Sequence, residues 1–113
     1  MSVGPTVEID GKTLCDWDSF HRTFAKTFGF FDGYGRNMNA WIDCMGCMRE
    51  DNPEQRLSEY HVPKDATLTI RLKNVEVVRN AEAGMLHELL DCSAFVNGRE
   101  LDRGDAPLLA IAY

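Results

Sequence analysis

The stretch Leu108-Leu109-Ala110-Ile111-Ala112 is apolar at every position. An amphipathic helix shows period 3.6 and a half-exposed strand shows period 2, so an unbroken short run fits a strand with apolar residues on both faces, as in a parallel sheet. Parallel neighbours cannot be joined by tight turns. Each needs a crossover of a dozen residues or more, usually helical. The rest of the chain must then supply strands alternating with helices, and two further segments read as strands. Val3, Val7 and Ile9 alternate with other residues up to Asp10-Gly11, a turn signal, and Thr67-Leu68-Thr69-Ile70-Arg71-Leu72 alternates strictly.

Helical patterns fill the gaps. Trp17, Phe20, Phe24 and Phe28 recur at spacings of three and four and stop at Gly29, which predicts an amphipathic helix capped by Asp16 or Asp18 and ended by a left-handed glycine. His21 lies beside that stripe and reads as a structural histidine. Asn37 is a good N-cap for a second helix reaching about Met48. On it, Met38, Trp41, Ile42, Met45 and Met48 gather on one side, while Arg36, Asn39, Asp43, Gly46 and Cys47 gather on the other. A short helical turn is expected over Asn74 to Asn80. A longer helix follows, marked by Met85, Leu86, Leu89, Leu90 and Ser93 and expected to close near Asn97-Gly98. The order strand, helix, helix, loop, strand, helix, strand predicts an α/β layer fold: a small, mainly parallel three-stranded sheet with helices packed on it. At 113 residues the chain has room for one core, so residues 1–113 are expected to form a single domain.

Charge narrows the partners. The formal net charge is −6, from 18 acids against 12 bases, which disfavours direct binding to nucleic acid and favours a basic partner. Neither a signal peptide nor a membrane span is expected, and a cytoplasmic protein with no membrane partner follows. The four cysteines, Cys15, Cys44, Cys47 and Cys92, are scattered through apolar-patterned segments and read as packed thiols.

Catalytic and metal patterns are weak. Cys44-Met45-Gly46-Cys47 has C-x-x-C spacing, but it falls late in a helix, away from the N-terminal position that activates a redox thiol, and no second pair of zinc ligands accompanies it. Gly33-Tyr34-Gly35 lacks the further glycine and the strand–helix setting of a dinucleotide site. The chain carries no serine elbow, HExxH or P-loop, and His21, His61 and His87 sit in unrelated contexts. No enzyme activity and no cofactor are expected, although a thiol switch at Cys44 and Cys47 is an alternative.

The stretch GFFDGYGRNMNAWIDCMGC, residues 29 to 47, remains. Phe30, Phe31 and Tyr34 stand among glycines directly before the second helix, on which Asn39 and Asp43 lie one turn apart and face outward. Two readings stay open: a solvated helix face beside a loop that plugs the core, or a docking surface in which aromatics and backbone groups make contacts while Asp43 enters a cationic pocket. The polar, twice proline-interrupted connection from Arg49 to Lys64, with a short element expected around Leu57 to Val62, would rim such a surface.

The block YGRNMNAWIDCM, preceded by VEIDGKTL and SFHRTFAKTF and followed in order by the terminal LLAIAY, resembles the barstar family, intracellular inhibitors of secreted ribonucleases. The resemblance implies a barstar-like fold and an acidic, cytoplasmic immunity protein of a toxin–antitoxin pair, whose partner is a cognate ribonuclease toxin. It implies that the second helix and its preceding loop occlude the nuclease active site. Asp43 falls where the family places an aspartate in the position of a substrate phosphate. Asn39 stands where the family has a second aspartate, Gly33 where it has the first of two loop aromatics, and Gly46 where it has a threonine. Tyr34, Gly35 and Asn37 match, the last two implying backbone contacts and the helix cap. The family also uses an acid on the last helix, for which Glu88, Asp91 and Glu100 are candidates. A regulatory module of the same fold with a non-nuclease partner is the competing reading.

Overall fold

The computed structural model describes residues 4–113, so Val3 lies outside the described residues. Three strands, β1 (Thr6–Asp10), β2 (Leu68–Lys73) and β3 (Leu109–Ala112), form one sheet in the order β1-β2-β3, and both ladders are parallel. Four helices accompany them: α1 (Trp17–Phe28), α2 (Met38–Gly46), α3 (Val75–Asn80) and α4 (Met85–Asp102). The architecture is α/β, a three-stranded parallel sheet with four helices among the described residues.

Register explains the apolar C-terminal run. Thr6 pairs with Thr69 and Glu8 with Arg71, while Thr69 pairs in turn with Ala110 and Arg71 with Ala112. All of these residues share one face of the sheet. That face is polar, with Glu8 lying 3.7 Å from Lys73 Nζ and 4.0 Å from Arg71 Nε. The opposite face presents Val7, Ile9, Leu68, Ile70, Leu72, Leu109 and Ile111 to the core. The terminal strand is therefore parallel as expected, but it is an edge strand covered on one face. Its alanines look like core residues in the sequence, yet they occupy the open side.

α1 follows the pattern closely. Asp16, rather than Asp18, is the N-cap: its carboxylate accepts from the Ser19 N–H at 2.7 Å, and the Ser19 hydroxyl accepts from the Asp16 N–H at 3.0 Å. These bonds hold the Asp16 carboxyl below the usual range. Gly29 closes the helix at φ 63°, where a side chain is strained. Phe20, Phe24 and Phe28 are fully buried and pack in a row, and Phe24 meets Trp41 of α2 edge-on.

α4 departs from expectation by running past Asn97-Gly98 to Asp102. Asn97 does not end the helix because its side chain is used sideways. Its amide donates to the Leu109 carbonyl and accepts from the Leu109 N–H, both at 2.8 Å, so α4 pairs with the edge of β3. In the 49–64 connection the regular element is a single 3₁₀ turn at Pro53–Gln55, and none forms at Leu57 to Val62. The later part of that connection is instead stitched by backbone bonds, Leu57 and Glu59 to the 28–31 segment and Val62 to Met48.

Candidate docking site on the second helix

α2 is fixed from beneath and from both ends. Trp41, Cys44, Met45 and, just beyond, Met48 are fully buried, so the backbone that carries the side chains of the other face can shift only if the core moves. At the N-terminus the Asn37 carboxamide oxygen accepts from the Ala40 N–H at 2.8 Å, and its amide donates to the Gly35 carbonyl at 3.2 Å. Asn37 is thus cap and loop brace together. Gly35 is exposed and does not adopt positive φ. The left-handed residue in this turn is its neighbour Arg36, at φ 51°, whose guanidinium donates to Asp18 at 3.0 Å.

The loop aromatics divide. Phe30 is in the core, Tyr34 is half-buried and Phe31 remains 45% exposed. Tyr34 packs edge-on against Phe30, and its hydroxyl bonds Nδ1 of His21. Burial raises its pKa well above the phenol range. His21 is itself buried, stacked on Trp17, and its pKa is lowered by burial and by the nearby Arg36 charge. The histidine is a structural post for the loop, as its position beside the aromatic stripe predicts.

On the outer face, Asn39 and Asp43 are both exposed one turn apart, and Gly46 is partly covered. Among the described residues no cation forms a salt bridge with Asp43. The six residues Tyr34, Gly35, Asn37, Asn39, Asp43 and Gly46 therefore lie along one loop and helix, with the carboxylate free.

The C-x-x-C pair takes a structural form. Burial, reinforced by the neighbouring Cys47 and Asp43, pushes the Cys44 thiol up to about 12. Cys47 Sγ donates to the Cys44 carbonyl at 3.1 Å and accepts from the Leu57 N–H at 2.9 Å, so it tethers the long connection to α2. Among the described residues no group of three metal-ligating side chains gathers, and no helix is long and apolar enough to cross a membrane.

Two charged features went unread in the sequence. Arg49, at the end of the short turn after α2, has a side chain only 6% exposed and donates to the carbonyls of Ala106 and Ala66 at 2.6 Å and of Pro63 at 3.2 Å. It also lies 3.4 Å from Glu100, which is 1% exposed and bonded to Arg103. Glu100, a candidate contact acid, is thus a buried partner of Arg49. The second feature is Arg99 of α4, whose guanidinium lies against Gly46. Extending the helical phase of α4 beyond Gly98 would have placed it on the helix one turn after Phe95.

A family model described as Barstar (barnase inhibitor) matches residues 4–109. No curated protein matches the chain.

Proposed function

Because the chain belongs to the barstar family, we propose that it is a cytoplasmic immunity protein that occludes the active site of a ribonuclease with α2 and the loop before it. The observation that carries this reading is the state of Asp43: an exposed carboxylate with no ion pair among the described residues, on a helix whose opposite side is locked in the core. A ribonuclease must hold phosphodiester oxygens and developing negative charge, so its cleft carries fixed cations. A carboxylate already held in place meets them with little ordering cost, and the net charge of −6 steers encounter with a basic enzyme.

Around it, Asn39 and the backbone of Gly35 supply neutral hydrogen-bonding groups, Tyr34 supplies a ring edge held by His21, and Asn37 keeps the helix start in register. Gly46, at the far end of the face, leaves room for the Arg99 side chain of α4. The neutral Asn39 fits a cleft that concentrates its cations around Asp43. The reading is tested by co-expressing this chain with ribonuclease toxins encoded beside it. Wild-type chain should preserve viability and co-purify with the nuclease, and Asp43→Ala should do neither. Protection that survives Asp43→Ala would remove that carboxylate from the mechanism.

A further inference from the structure

The α4 side chain that meets the outer face of α2 is a cation. Arg99 Nη2 lies 2.7 Å from where a Cβ at position 46 would sit, so the guanidinium occupies the space that glycine leaves, three residues beyond Asp43. Its Cζ is 5.5 Å from the centre of the Phe95 ring, and Phe95 is 54% exposed. Nε is buried without a hydrogen-bond partner, and among the described residues no carboxylate pairs with this arginine. Three of the four acids of the same helix are engaged elsewhere: Glu100 with Arg49 and Arg103, Asp91 with His87, and Glu88 with the Cys92 thiol.

A guanidinium laid over an aromatic ring and pressed against backbone is a preorganised fork with little freedom left to lose when an acceptor arrives. Arginine beside an exposed aromatic is also the composition of an interface hot spot. A target whose cations ran along both helices would be repelled here, because like charges set against each other across an interface are strongly unfavourable.

Building on the docking reading above, we propose that Arg99 and Phe95 form a second contact of opposite sign, and that the target ribonuclease presents a carboxylate to Arg99 beside the cationic pocket that receives Asp43. The target is then distinguished by a charge pattern, cations at α2 and an acid at α4, rather than by positive charge alone.

The test uses the full chain and a panel of purified, catalytically inactive secreted ribonucleases, carrying forward the one that the wild-type chain binds tightest by calorimetry. Arg99→Gln should weaken that complex about tenfold and Arg99→Glu about a hundredfold, the scale of losing and reversing a paired interface charge, with melting temperatures unchanged. Changing the ribonuclease's rim acids to lysine one at a time should restore binding of Arg99→Glu at one position. If Arg99→Glu binds as tightly as wild type while Asp43→Ala does not bind, Arg99 only fills the gap over Gly46, and this proposal falls while the docking reading stands. It falls equally if no acid-to-lysine change restores binding. If Asp43→Ala also binds normally, or no ribonuclease binds the wild type, both fail.

Discussion

Asp43 of α2 and Glu100 of α4 are two acids with opposite fates. Glu100 is enclosed, with Arg49 at 3.4 Å and Arg103 at 3.2 Å, and Arg49 in turn ties together the carbonyls that lead into β2 and β3. Asp43 stands in solvent with no ion pair among the described residues. The contrast separates a charge used to build the molecule from one that the docking reading assigns to a partner. A buried charge is costly unless fully paired, so its partners are internal. An exposed, rigidly mounted charge contributes almost nothing to folding and keeps its whole electrostatic capacity for a partner.

The comparison can be broken most forcefully at Arg49. Arg49→Ala leaves Glu100 buried with one exposed partner and takes the arginine donors from the Ala66 and Ala106 carbonyls, and should destabilise the fold by about 3–5 kcal/mol. Denaturant titration checks this, and an unshifted midpoint would mean that the enclosed pair carries no weight. Asn37→Ala removes the cap of α2 and should cost about 1 kcal/mol, with hydrogen exchange rising first in the Met38–Trp41 turn. At His21 the effect is one of pH. Its folded pKa lies below 6.5, so the unfolded chain binds more protons in the window beneath 6.5. The stability associated with neutral His21 is therefore complete above 6.5 and is lost as pH falls through that window. Melting temperature should decline faster with acid in the wild type than in His21→Gln, and parallel curves would contradict the buried-histidine account. The smallest expected effect is Asp43→Ala, which should change stability by less than about 0.5 kcal/mol.

Legibility in the sequence followed the physics of each element. α1 was readable to within a residue because aromatic periodicity, an aspartate cap and a terminal glycine all agree. The three parallel strands were readable from alternation and from the apolar run, but one-sided cover was not, because alanine is compatible with either face. The end of α4 was hidden by Asn97-Gly98, a stop signal overridden when Asn97 pairs with the edge of β3. That single error concealed Arg99, which reads as a loop residue unless the helix continues. The outward placement of Asn39 and Asp43 follows from helical phase. The burial of Phe30 and half-burial of Tyr34 depend on packing against α1 and could not be read locally, nor could the clamp around Arg49, which joins residues as far apart as 49 and 106.

The most direct measurement of the central claim compares folding and binding in Asp43→Ala. Its affinity for a catalytically inactive target ribonuclease should fall by about 2–5 kcal/mol, a range that draws on the barnase–barstar pair itself and is carried over to this chain, while its melting temperature matches the wild type. Equal affinity in the two proteins, or a loss of affinity matched by a loss of fold stability, would contradict the assignment of Asp43 as a charge held for a partner.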